Sequence, residues 1–247
     1  MARFENRPVP ENNVSDSHPL AEFIWLGLAA LLLVVGLAAM LMFAGHSLAR
    51  HIPFSWESHL RFDWPESEVA KAESEPVKAL LDQLLRADPL PEGMSVRLSV
   101  VEGDTLNAMA GPGGELMIYQ GLVEELDNEV ALAFVLAHEA AHVRHRDVIE
   151  SLLGQSLLAL GAAVMMGNDS QLVHLAVSAT SLGFSRQQEL EADRRAMETL
   201  WRYYGHVDGA ERVFQVLKQE SALGEWLMSH PDSEARLTQL EDFKATH

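Results

Sequence analysis

The chain has 247 residues, 48% of them hydrophobic and 22% charged, which is enough apolar material for a packed core and excludes disorder throughout. Lys and Arg total 18 against 36 Asp and Glu, a formal net charge of −18 that repels polyphosphate and excludes a nucleic-acid partner. There is no cysteine, so disulfides, thiolate metal sites and a cysteine nucleophile are excluded, and any metal must sit on carboxylates or on some of the 11 histidines.

Residues 1–22 are polar, with prolines near the start, and are expected to form a disordered tail. Residues 23–44 (FIWLGLAALLLVVGLAAMLMFA) carry no charge. As a helix they would extend about 33 Å, enough to cross a bilayer. Trp25 and Phe43 stand near the ends, where interfacial aromatics belong. The competing reading is a cleaved signal peptide with Ser47-Leu48-Ala49 as its processing site. Against it, the start carries Glu5, Glu11, Asp16 and Glu22 and is long. The expectation is a single-pass protein that meets the lipid bilayer through residues 23–44. Arg3 and Arg7 on one side balance Arg50 and Arg61 on the other, so charge does not choose an orientation.

Residues 45–74 are expected to be a juxtamembrane linker and 75–247 the folded domain. Within the linker, residues 51–65 mix aromatics with prolines, and either rest on the bilayer or pack on the domain. Residues 67–75 are small and charged and read as a connection. Ser74 can cap a helix with Pro76 in its first turn; Val77, Leu80, Leu81, Leu84 and Leu85 follow at helical spacing, and Asp88-Pro89 stops it. Residues 95–101, 105–110 and 115–119 read as short strands, the last two joined by Gly111-Pro112-Gly113-Gly114, and are expected to make a small antiparallel sheet.

From Asn128 onward the pattern is helical. A helix capped by Asp127 or Asn128 runs to about Asp147, and further helices are expected over 186–201, 208–221 and 233–243. Between them lie two apolar segments, 152–166 and 172–184, turning at Asn168-Asp169-Ser170. They read as a helical hairpin, either packed on the domain or dipping into the membrane.

His138-Glu139-Ala140-Ala141-His142 is an H-E-x-x-H sequence inside a predicted helix. Four residues advance a helix by about 400°, so the two imidazoles lie about 40° apart and one turn from each other, and both can reach one zinc. Glu139 lies to the side of the pair, where it can take a proton from the attacking water. The flanking residues Leu132 to Ala137 and Ala140, Ala141 and Val143 are apolar, so the motif is expected in a core, where buried His and Glu need partners. In the later helix Glu189, Ala192, Asp193 and Ala196 share one small, acidic face, which makes Glu189 the candidate third ligand and Asp193 a hydrogen-bond partner for a ligand His. His145 falls about 10 Å along the axis from His138 and cannot share its metal.

HEAAH, SRQQELEAD, the run from His230 to Arg236 (HPDSEAR) and the run from Asn107 to Gly114 (NAMAGPGG) occur in order, and together they resemble the zinc metallopeptidases of the HtpX and CaaX-prenyl-protease type. The resemblance implies a mainly α fold with a small antiparallel sheet, a gluzincin domain behind one N-terminal transmembrane helix. It implies one Zn2+ per chain on His138, His142 and Glu189, with Glu139 as general base. It brings His230 to the active site, where it can stabilise the oxyanion, places Asp193 and Arg236 behind the ligands, and assigns substrate contacts to Asn107, Gly113, Gly114 and Tyr119.

The function so implied is a membrane-anchored zinc endopeptidase acting on extended segments of misfolded or unassembled membrane or envelope proteins. A bacterial inner membrane with the domain facing the periplasm is the implied setting. The strand at 115–119 is expected to pair with substrate backbone. The alternative is a catalytically silent holdase that uses the same groove.

Overall fold

The structure is a computed structural model that describes residues 19–49, 51–60, 68–166, 183–219, 230 and 233–247. The chain divides into two compact units, Met1–Met40 and Leu41–His247. Helix α1 (Pro19–Ala49) begins in the first unit and contains the whole apolar stretch 23–44. It is long and apolar enough to cross a membrane. Phe23, Ile24, Trp25 and Leu26 on it are each exposed, the surface a lipid-facing helix presents.

In the second unit, the last turns of α1 lie directly against helix α6 (Asp147–Met166). A side chain at Gly45 would sit 2.8 Å from the Gly154 backbone nitrogen, so the two backbones meet where neither residue carries a Cβ. A short helix α2 (Phe54–Glu57) follows at once, and its Glu57 is buried. Of the two readings of the linker, this part packs on the domain.

Helix α3 spans Glu68–Ala87, with Pro76 inside it. The expected start at a Ser74 cap is therefore corrected. Ser74 is buried within the helix, and the Glu-, Ala- and Lys-rich stretch before it continues the helix because these are strong helix formers. The predicted face of Val77, Leu80, Leu81 and Leu84 is buried in the core. At its end Asp88 binds Arg195 (Nε–Oδ2 2.7 Å), Arg202 and the Thr199 hydroxyl (2.9 Å), tying α3 to helix α7 (Arg186–Tyr204).

The strands are β1 (Arg97–Val101), β2 (Ala108–Ala110) and β3 (Glu115–Tyr119), in the order β1-β3-β2. β2 and β3 form the expected antiparallel hairpin, Ala108 opposite Ile118. β1, however, runs parallel to β3, with Arg97 opposite Glu115 and Val101 opposite Tyr119. The sheet is mixed, which corrects the all-antiparallel expectation. A tight turn after β1 would have paired it with β2; the longer excursion over residues 102–107 lets β3 slot between them. β3 thus has a neighbour on each side and no free edge, so the expectation that it pairs with substrate is also corrected. The connection Pro112–Gly114 is a 3-10 turn in which Gly113 and Gly114 have φ of 72° and 81°. A side chain on Gly114 would meet the Ser95 carbonyl at 1.9 Å, so only glycine fits.

Helix α4 (Gln120–Leu126) and the central helix α5 (Glu129–His145) come next. Asn128 caps α5 as expected, its Oδ1 accepting from the N–H groups of Val130 (2.8 Å) and Ala131 (3.1 Å). Apart from half-buried Leu132, the face and flanks of α5 from Ala131 to Val143 are buried, against α7, β2 and α3. The helix stops at Arg146, which takes a left-handed conformation (φ 69°), and α6 begins at the next residue. α6 includes the first arm of the expected apolar hairpin; most of the second arm lies outside the described residues. Ser185 and Gln188 close a capping box at the start of α7. Helices α8 (Glu211–Gln219) and α9 (Ser233–Thr246) follow among the described residues.

Candidate metal centre and active site

The one-turn spacing of His138 and His142 on α5 does what helical geometry requires: their Nε2 atoms lie 3.0 Å apart. α7 brings Glu189 against them, its carboxylate 3.4 Å from His142 Nε2 and 3.7 Å from His138 Nε2. His230 arrives from far along the chain, with Nδ1 3.0 Å from Glu189 Oε1 and 3.2 Å from His138 Nε2. These four side chains are fully buried, and one ligand atom from each lies within 4.8 Å of all the others. His230, for which an oxyanion contact is expected, has its ring within this candidate ligand cluster.

The remote nitrogens of both motif histidines are engaged. His138 Nδ1 donates to Asp193 Oδ1 at 2.8 Å, and His142 Nδ1 donates to Asp147 Oδ2 at 2.8 Å. Such carboxylates fix the ring orientation of metal-ligating histidines. Asp193 makes this contact from the face of α7 that it shares with Glu189. Asp147 was missed, because in an unbroken helix it would lie on a different face from His142; only the left-handed turn at Arg146 brings it back. Arg236, fully buried, holds Asp193 through two nitrogens and also reaches Glu189 (2.9 Å), and its guanidinium lies over the Phe214 ring. Phe184 stacks on His142 with ring centroids 3.8 Å apart and, with Phe134 near His138, supplies apolar walls.

Glu139 is buried, and among the described residues neither of its carboxylate oxygens has a hydrogen-bond partner; His230 Nε2 lies 3.5 Å from Oε1. Burial pushes its carboxyl above the usual carboxylate range. A buried carboxylate left unpartnered beside converging ligands is the arrangement a general base needs.

The donor set fits a metal ion. Tetrahedral zinc with bonds of about 2.0–2.1 Å sets its ligand atoms about 3.3 Å apart, close to the separations found here. The charge balance fits as well. Glu139, Asp147, Glu189 and Asp193 are four buried carboxylates facing one buried guanidinium, a surplus that a divalent cation offsets. The two motif histidines differ: burial opposes the charged form of His142, yet its hydrogen bonds with Asp147 and Glu189 outweigh that and push it up to about 9, whereas burial and the Arg236 guanidinium hold His138 well below its ordinary value.

The profile of peptidase family M48 matches residues 71–244. The chain belongs to that family. This bears out the resemblance drawn from the four motifs. Among similar proteins, the mitochondrial metalloendopeptidase OMA1 of Schizosaccharomyces pombe is 27% identical over 179 residues, 68% of this chain and 53% of that protein. The beta-barrel assembly-enhancing protease of Escherichia coli is 29% identical over 156 residues, 56% of this chain and 32% of that protein. A protease HtpX homolog of Salinibacter ruber is 29% identical over 152 residues, 53% of each chain. The M48 chain thus spans about half or less of the length of these relatives.

The remaining expected residues fall nearby in the fold. Asn107 is buried just ahead of β2, and its backbone carbonyl accepts from Tyr119 N–H (3.0 Å). Gly113 N–H donates to Glu57 Oε1 (3.3 Å). Tyr119 is half-buried at the end of β3. The edge of β2, the strand packed on α5, has no neighbouring strand among the described residues.

Proposed function

We propose that this M48 chain is a membrane-anchored, zinc-dependent endopeptidase with one zinc per chain. The observation that carries the reading is the convergence of His138, His142 and Glu189 beside Glu139, a buried carboxylate without a hydrogen-bond partner among the described residues. Bound zinc would polarise the scissile carbonyl and make water more acidic. Glu139 accepts the proton of the attacking water on a carboxylate oxygen and returns it to the leaving amine. Its raised pKa brings it closer to the neutral range in which such a transfer works both ways. Asp193 and Asp147 hold the two imidazoles in orientation, and Arg236 holds Asp193 in turn.

Substrate binds as an extended segment along β2, the strand next to α5 whose outer edge is unpaired among the described residues. Asn107 borders that edge, while Gly113, Gly114 and Tyr119 shape the hairpin behind it. The layout is a single membrane span over 23–44 within α1, a segment after α1 that packs on the domain, and a gluzincin peptidase domain from α3 onward. Misfolded or unassembled membrane or envelope proteins are the proposed substrates, in a bacterial inner membrane with the domain on the periplasmic side. The E. coli relative is named a beta-barrel assembly-enhancing protease, which supports proteins undergoing assembly as the substrate class.

The test is Glu139→Gln in the full chain, assayed with casein and for bound zinc. The variant should retain zinc and lose about 10²–10⁴-fold in turnover, the usual worth of a general base. Zinc-loaded Glu139→Gln protein that cleaves at the wild-type rate overturns the reading, and a zinc-loaded wild type that cleaves nothing returns the silent holdase.

A further inference from the structure

The stretch directly after α1 grips the residue that ends the metal-site helix. Arg146 Nη2 lies 2.8 Å from Glu57 Oε2 and donates to the Ile52 carbonyl at 3.0 Å, and its guanidinium lies over the Phe54 ring, 5.7 Å from the centroid. Glu57 is buried, and its other oxygen accepts from Gly113 N–H. Three of the residues between 51 and 57 therefore converge on one arginine.

That arginine holds an unfavoured backbone. Arg146 is in the left-handed region (φ 69°), where a residue with a Cβ is strained and glycine is not. Its N–H caps the His142 and Val143 carbonyls, and its own carbonyl accepts from Glu150 N–H, so a single residue separates α5 from α6. The relaxed alternative is one continuous helix. In it Asp147 would lie about 140° around and about 7.5 Å along from His142, out of reach. In the observed turn Asp147 accepts from His142 Nδ1 at 2.8 Å.

We propose that Glu57 is a positioning residue of the metal centre: with Ile52 and Phe54 it clasps Arg146 in the left-handed turn that puts Asp147 on His142. The segment following the membrane anchor is thereby part of the metal site, although Glu57 lies ahead of the stretch that the family profile matches. The inference rests on the proposal that His142 is a zinc ligand.

The experiment measures zinc affinity of the full chain in detergent by competition with a chelator. Loss of a carboxylate partner behind a ligand histidine costs about 10–100-fold in metal affinity. Glu57→Gln should weaken zinc binding by about tenfold, and Asp147→Asn by at least as much. Arg146→Ala and Arg146→Gly remove the same side-chain contacts and differ in the strain of the turn. Alanine should weaken zinc binding about tenfold, while glycine should stay within about twofold of wild type. Glycine at 146 should also cancel the effect of Glu57→Gln. A Glu57→Gln chain that binds zinc as the wild type does, or alanine and glycine variants that bind alike, overturns the clasp. Should Glu57→Gln fail to fold, the alanine–glycine pair decides alone. A folded wild type that binds no zinc overturns the metal reading itself and the clasp with it.

Discussion

Arg236 meets Asp193 through two parallel contacts, Nε to Oδ2 at 2.5 Å and Nη2 to Oδ1 at 2.7 Å, with both side chains buried. The pair stands behind the metal group, since Asp193 also accepts from His138. Removing one partner of such a pair leaves the other charge buried and unmatched, which costs about 3–5 kcal/mol. Arg236→Met should therefore lower the thermal midpoint by about 10 °C for a domain of this size. Calorimetry checks this, and an unchanged midpoint would show the pair to be neutral.

Asp193→Asn keeps the shape and removes the charge that orients His138. Zinc affinity should fall by about 10–100-fold while secondary structure by circular dichroism stays as in the wild type. Chelator competition on the purified chain reads the effect directly.

His230 Nδ1 stands among the ligand atoms, 3.0 Å from Glu189 and 3.2 Å from His138 Nε2. His230→Ala should accordingly raise the zinc dissociation constant by about tenfold, as loss of a partner of the ligand set does. If the ring instead served only an oxyanion, turnover would drop with zinc affinity untouched. Measuring both constants on the same preparation separates the roles.

Asn128→Ala removes the acceptor for two N–H groups at the start of α5. The expected cost is about 1 kcal/mol, a fall of about 3 °C in the thermal midpoint. Turnover below the transition should not change, because the cap lies more than two helical turns before His138 and His142. A loss of turnover without a stability change would be the contrary result.

Local geometry made much of this protein legible before folding. The i, i+4 spacing of His138 and His142, the shared face of Glu189 and Asp193, the cap at Asn128 and the apolar run at 23–44 all follow from helical repeat and side-chain chemistry. They hold wherever the helix ends up. The start of α3 was misplaced because Pro76 and Ser74 looked like a boundary, whereas the chain tolerates the proline inside a longer helix.

Sequence alone therefore determined the candidate ligand pair, the candidate base beside it, the face of the candidate third ligand and the membrane-length helix, since each depends on neighbours within a few turns of backbone. Tertiary structure decided the rest. It ran β1 parallel to β3 and left β2 as the edge beside α5, because the path of residues 102–107 sets pairing and no local pattern encodes it. It set His230 against His138 and Arg236 on Asp193, contacts across 92 and 43 residues of chain. It also turned Asp147 back onto His142, because one arginine holds a left-handed backbone that its own residue type disfavours and that Glu57, from another part of the chain, secures.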